Sequence, residues 1–244
     1  MNIDHPTPAQ IPQLRKLWKE AFGDSASFLD KFFSMAFSPK RSLCATIGCE
    51  IAAMAYWFSC GEYAYIYAVA TSASHRGKGI CHRLMEKLHG ILMQEGYAGC
   101  IVVPGEESLR DFYRGMGYEN FGGIHEYDCH AGTPLPLRKV SKEEFAVLRR
   151  HYLPEGSVLQ EGENLDFLSS WASYYEGSKA LVTAIWEDEK LMIMELLGDE
   201  SAATGIVAAL GEISANIRSP GDTPFAMHRP LNKKQAPKYF GFCF

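Results

Sequence analysis

No run in the 244 residues is apolar over the roughly twenty positions that a membrane-spanning helix needs. The opening MNIDHPTPAQIPQ has no basic patch leading into an apolar core, so no secretory signal is read there. Lys and Arg form no stripe, and at a net charge of −5 the chain is not a general nucleic-acid binder. The cysteines make no C-x-x-C pair. Two phosphate-binding signatures are also missing. In G-x-x-x-x-G-K-[ST] a hydroxyl follows the lysine, whereas Lys78 precedes Gly79 and the glycine spacing is wrong. In G-x-G-x-x-G the last glycine falls on His82. These absences leave neither nucleic acid nor membrane as an expected partner.

What is present describes a globular protein. Hydrophobic residues make up 47% and charged residues 22%. The length suits two ordinary cores better than one large one. Seven cysteines, at 44, 49, 60, 81, 100, 129 and 243, are an odd number lying mostly in apolar segments. They read as small buried hydrophobes in a reducing cytoplasm. His125, Cys129 and His130 read as neighbours at a strand end, and no metal site is expected.

The chain is organised around Tyr63 to Leu92. Tyr63, Tyr65 and Tyr67 alternate with Ala64, Ile66 and Ala68, which predicts a strand continued by Val69 and Ala70. Ile80, Leu84, Leu88, Ile91 and Leu92 recur at helical spacing. Between the two lies Arg76-Gly77-Lys78-Gly79. A first helical turn has N–H groups without internal partners and a partial positive charge. Glycines let the backbone approach an anion, and Arg76 and Lys78 add full charge.

Arg76-Gly77-Lys78-Gly79-Ile80-Cys81 resembles the [RQ]-x-x-G-x-[GA] acyl-CoA-binding motif of the GNAT superfamily of N-acetyltransferases, with Cys81 in place of the usual smaller residue. Phe112-Tyr113-Arg114-Gly115-Met116-Gly117-Tyr118 is similar to a second motif of that family, F/L-Y-x-x-x-G-F/Y, and follows in the expected order. The resemblance covers about the first half of the chain. It implies an α/β (α+β) fold with a mixed central sheet flanked by helices, whose strands near residues 63–70 and 100–104 splay to admit pantetheine.

The coarse order of elements agrees. A first strand at Ile3 is followed by a capping box at Thr7–Gln10 and two helices, the second rich in phenylalanine. Strands at 43–47 and 51–58 turn at Gly48, and 101–103 is a short buried strand. A helix carries Leu109, Phe112, Tyr113 and Met116, and strands return over 118–127. Residues 131–136, AGTPLP, read as a linker. This division gives a catalytic domain at 1–130 and a second domain at 131–244. The second repeats the logic: a capping box at Ser141–Glu144, a helix with Leu165, Leu168, Trp171 and Tyr175, and a hairpin about 187–189. A helix with Ile206, Leu210 and Ile213 follows, then final strands at 224–227 and 239–244. At its turn, Gly198-Asp199-Glu200-Ser201 places acid where phosphate would sit. It reads as a degenerate GNAT-like domain, the tandem arrangement of acetyltransferases that resemble the enhanced intracellular survival protein.

The resemblance implies a cytoplasmic, acetyl-CoA-dependent N-acetyltransferase acting on a primary amine of a small molecule or peptide. A non-catalytic acyl-CoA sensor or assembly module is the alternative, and homo-oligomerisation stays open. The main chain of Val69, Ala70 and Thr71 is implied to hold pantetheine. Arg76, Gly77, Lys78, Gly79, Ile80 and Cys81 are implied to hold the diphosphate, with Arg83 adding charge. Tyr113 matches the family's general acid, and its pKa of about 10 against about 8.5 for a thiol keeps it protonated to donate. Glu106 stands where the family often has Asn. For the base, Glu126, Asp128 and the terminal carboxylate of Phe244 are candidates, the last because YFGFCF is an apolar ending and two-domain relatives use the chain terminus.

Overall fold

The computed structural model describes residues 1–187, 189–233 and 235–241. Strand β1 (Asn2–Asp4) leads to a capping box in which the Gln10 side-chain oxygen accepts from the Thr7 N–H at 2.9 Å. Helix α1 (Ile11–Phe22) follows and stops at Gly23, φ +77°. Ser25 Oγ accepts from the Phe28 N–H at 3.1 Å and starts α2 (Ala26–Lys31), which passes into a π-helical turn at Phe32–Ala36. Strands β2 (Ser42–Ile47) and β3 (Glu50–Cys60) turn at Gly48, φ +60°. Then come β4 (Tyr63–Thr71), α3 (Ile80–Gln94), β5 (Gly99–Val102), α4 (Ser108–Arg114) and β6 (Glu119–His130). This is the predicted order of the first half.

The second half begins with β7 (Arg138–Val140) and α5 (Lys142–Tyr152), which Ser141 caps by accepting from the Glu144 N–H at 3.1 Å. Helix α6 (Glu163–Ser169) is shorter than its apolar spacing predicts: Trp171 lies beyond it and Tyr175 belongs to β8 (Ser173–Gly177). The hairpin β9 (Ala180–Glu187) and β10 (Lys190–Gly198) forms as expected. Helix α7 (Ala203–Ala209) ends before Ile213, which is 84% exposed, and β11 (Ser214–Pro230) contains the predicted strand at 224–227. Tyr239, Phe240 and Gly241 are buried but belong to no strand, contrary to expectation; the rest of that predicted strand, residues 242–244, lies outside the described residues.

The chain groups into two compact units, and their make-up differs from a cut at residue 130. The first holds Met1–Glu119, Gly162–Phe167 and Met227–Ala236; the second holds Asn120–Glu161, Leu168–Ala226 and the chain from Pro237. The reason is strand pairing. In the first unit β1 to β5 lie in sequence order, antiparallel except for the parallel pair β4–β5, and the next strand is Met227–Pro230, antiparallel to β5. In the second unit β7 to β10 are antiparallel neighbours and β10–β11 is parallel; β6 pairs with β11. Each half of the chain therefore supplies the last strand of the other half's unit.

On one face of the first sheet, Ile80, Leu84, Met85, Leu88 and Leu92 of α3 pack on Ala52, Ala53, Ala55 and Ala64, whose small side chains admit the helix closely. Tyr113 and Met227 close the same core. A separate cluster of rings joins Trp18, Phe32, Tyr56, Phe58 and Tyr67, with Trp18 and Phe32 only 4.5 Å apart. The second unit buries a charge pair: Arg149 Nε donates to Glu195 Oε2 at 2.7 Å and its Nη2 donates to Oε1 at 2.9 Å and to Gln160. Such a pair is costly to break from one side.

Strand β5 fits against Met227–Pro230 only because Gly99 has no side chain: a Cβ there would lie 2.2 Å from His228 Nε2 and 2.9 Å from the Arg229 carbonyl oxygen. Gly99→Ala is expected to lower stability by about 1–3 kcal/mol, seen as an earlier urea midpoint.

Candidate functional site

The parallel ladder between β4 and β5 is short. Tyr63 pairs with Gly99, Ala64 with Cys100 and Tyr65 with Ile101, and there it stops. Strand β4 runs on to Thr71 while staying paired with β3, Ala70 opposite Met54 and Thr71 opposite Ala53. Beyond Tyr65 there is therefore a stretch of β4 with no ladder partner on the β5 side among the described residues, at the place where the strands of the resembled fold splay. Within it β4 bulges, setting Ala68 and Val69 against Ala55. Ala68 takes φ +49°, a left-handed conformation that costs a non-glycine residue about 1–2 kcal/mol. Strain of this kind collects at functional sites.

Past Thr71 the chain forms the glycine loop. Gly77 and Gly79 have φ of +72° and +70°, and a Cβ on either would meet nothing within 4 Å. Glycine is needed there for backbone conformation and not for space. Gly79 is the N-cap of α3 and has no side chain to cap with; the first helical bond runs from the Arg83 N–H to the Gly79 carbonyl at 3.2 Å. Among the described residues, the N–H groups of Gly77, Lys78, Gly79, Ile80, Cys81 and His82 have no acceptor. The two cations of the loop also brace it: Arg76 Nε donates to the Thr71 carbonyl at 3.2 Å and Lys78 Nζ to the Ser74 carbonyl at 2.8 Å. His75 Nδ1 meets Ser72 Oγ at 2.9 Å and Ser74 Oγ at 3.0 Å. A row of open donors at the positive end of a fifteen-residue helix suits a diphosphate.

Tyr113 is 7% exposed and lies in the same apolar core as Cys81 and Val69, so the structure brings together residues from the bulge, the loop and α4. Burial, followed by the nearby Cys81 thiol, raises the Tyr113 pKa, so the phenol holds its proton. Burial also pushes the Cys81 thiol up. This combination can orient an anion, admit a thin chain between two strands and present one neutral O–H.

Glu126 and Asp128 belong to the second unit, where Arg218 Nη2 donates to Glu126 at 3.4 Å and Asn216 Nδ2 to Asp128 at 3.3 Å. Glu106 is exposed and accepts from Ser108 Oγ. Phe244 lies outside the described residues. His125, Cys129 and His130 form no metal-ligating cluster among the described residues. Sequence reading missed His89: it is 3% exposed, with Nε2 2.7 Å from the Tyr118 hydroxyl. Its only signal was position, since 85, 89 and 92 continue the buried helix stripe at steps of four and three.

Residues 2–121, just under half of the chain, match the family model described as the acetyltransferase (GNAT) domain. The structure is similar to the GCN5-related N-acetyltransferase from Kribbella flavida, at 17% identity and TM-score 0.70, over 95% of this chain and 72% of that one. It is similar to the GCN5-related N-acetyltransferase from Anabaena variabilis ATCC 29413, at 15% identity and TM-score 0.73, over 95% and 73%. It is also similar to Eis1 from Mycobacterium abscessus, at 13% identity and TM-score 0.69, over 95% and 74%. At these identities the likeness shows the fold, which is the GNAT fold. None of the curated proteins matches the sequence. Among the described residues, no helix is long and apolar enough to cross a membrane.

Burial, then Arg229 and His82, push His89 down to about 3, and burial pushes His228 down to about 4. Both lie below the unfolded value of about 6.5. Their neutral forms therefore stabilise the fold above that value, and the stabilisation is lost as pH falls through it. Urea midpoints are expected to be level near pH 7 and to drop by pH 5, with a smaller drop in His89→Gln.

Proposed function

Taking a GNAT acetyltransferase domain over residues 2–121 as the premise, we propose that the chain is an acetyl-CoA-dependent N-acetyltransferase acting on a primary amine. The observation that carries this is the row of open N–H groups from Gly77 to His82 beside strands whose pairing ends at Tyr65 and Ile101. In this reading the loop amides take the diphosphate, and Arg76 and Lys78 keep the loop in shape through Thr71 and Ser74. The main chain of Val69, Ala70 and Thr71 lines the gap and orients the pantetheine arm. Acetyl-CoA, when bound, supplies a thioester whose carbonyl carbon forms the new C–N bond with the amine as the C–S bond breaks. Tyr113 gives its O–H proton to the departing sulfur, and the proton lost by the amine restores the balance through solvent. The raised pKa of Tyr113 suits this role, because its phenol keeps its proton near neutral pH.

The second unit is proposed as a degenerate partner that binds no CoA. Asp199 Oδ1 accepts from the Ser201 N–H at 3.0 Å and from Ser201 Oγ at 2.7 Å, so a carboxylate of the chain already occupies the turn before α7. The parallel pair β10–β11 stands where β4–β5 stands in the first unit, which supports common descent of the two halves.

Tyr113→Phe is expected to lower thiol release from acetyl-CoA by about a hundredfold and to leave calorimetric CoA affinity unchanged. Equal turnover would remove Tyr113 from the chemistry. Folded protein that takes up no CoA would end the enzyme reading altogether, and uptake without thiol release over a panel of amines would leave a sensor.

A further inference from the structure

Tyr113 cannot take its orientation from its own helix. Helix α4 has seven residues and is followed at once by Gly115 and by Gly117 with φ +82°. One ring neighbour, Phe112 at 5.4 Å, is itself 38% exposed. The other is Tyr118, 1% exposed, whose ring meets that of Tyr113 edge-on at 5.4 Å and 67°. The Tyr118 N–H also donates to the Tyr113 carbonyl at 3.1 Å.

The Tyr118 hydroxyl joins two other elements. It lies 2.7 Å from His89 Nε2 on α3 and 3.3 Å from Cys100 Sγ on β5, and Cys100 Sγ in turn lies 3.9 Å from the Arg229 carbonyl oxygen. One direction of donation satisfies every donor. His89 Nε2–H donates to the Tyr118 oxygen, Tyr118 O–H to the Cys100 sulfur, and Cys100 S–H to the Arg229 carbonyl. Only the lone pair on His89 Nδ1, buried and without a partner among the described residues, is left over. The reverse direction would strand a buried N–H at that atom, a rarer and costlier arrangement than a stranded acceptor. Neutral imidazole is required for this pattern, and the depressed pKa of His89 supplies it.

We propose that Tyr118 is a positioning residue for Tyr113: the chain His89–Tyr118–Cys100 fixes the Tyr118 ring, and that ring sets the direction of the Tyr113 hydroxyl. The inference rests on the reading of Tyr113 as proton donor. It adds that the second tyrosine of the FYRGMGY segment acts through its own hydroxyl, at the far end of the ring from its backbone.

The test is thiol release from acetyl-CoA, with primary amines or water as acceptor, normalised to CoA-binding stoichiometry by calorimetry. Tyr118→Phe keeps the ring and removes the tie. Per CoA-binding site, kcat is expected to fall about tenfold with KM for acetyl-CoA unchanged, the behaviour of a misdirected donor. In a Tyr113→Phe background the same substitution is expected to add no further loss, whereas an independent structural effect would add in full. His89→Ala is expected to reproduce the Tyr118→Phe loss, and His89→Gln, which restores an N–H donor, to recover part of it. Should Tyr118→Phe fold poorly, the two His89 variants decide the matter. Unchanged kcat in Tyr118→Phe, or full additivity with Tyr113→Phe, overturns the proposal. Unchanged kcat in Tyr113→Phe alone overturns the proton-donor reading instead.

Discussion

The first unit is arranged around a ladder that stops early. Parallel strands gain one backbone hydrogen bond after another, and here the series ends at Tyr65 and Ile101 although β4 continues for six residues. Backbone polar groups beside such a gap need partners, because leaving one buried and unmet costs about 1–3 kcal/mol. Features on either side accompany the end of the pairing. The bulge at Ala68 and Val69 turns the strand, while β5 ends at Val102 and gives way to the turn before α4. The glycine loop then adds its own unmet N–H groups a few residues on. Local stability is given up at these places in the sheet, and the rest of the unit compensates with the dense packing of α3 against alanine-rich strands.

The charges of the glycine loop also act on the chain itself. Arg76 and Lys78 look like ligands for an anion, yet each donates to a carbonyl of the segment before the helix. Both contacts brace the loop whose N–H groups lack acceptors among the described residues.

Much of this was legible in the sequence. The glycines of the loop, the helical stripe from Ile80 to Leu92 and the capping residues Thr7 and Ser141 act through local rules, and local rules are readable along the chain. Three features were not. The bulge depends on Ala68 at φ +49°, and alanine gives no sign of a left-handed residue. The buried chain through His89 and Cys100 joins polar groups on different elements, which no periodicity records. The neighbour of β5 comes from residues 227–230, so the pairing is set by what the second half of the chain does. That is also why a boundary drawn at the AGTPLP segment misplaced β6: residues 120–130 look continuous with the first half but pair with β11.

The exchanged strand bears on how the protein is made. Val102 ends β5, and Met227, its partner, is synthesised only after the whole intervening second half. At about 5–20 residues per second the ribosome takes on the order of ten seconds to supply it. For that interval β5 has a bare edge, the Arg229 guanidinium is not yet there to donate to the Met116 carbonyl, and the Cys100 thiol has no Arg229 carbonyl to meet. The contacts of Arg229 with Met116 and Cys100 thus form only after the second half of the chain has been made.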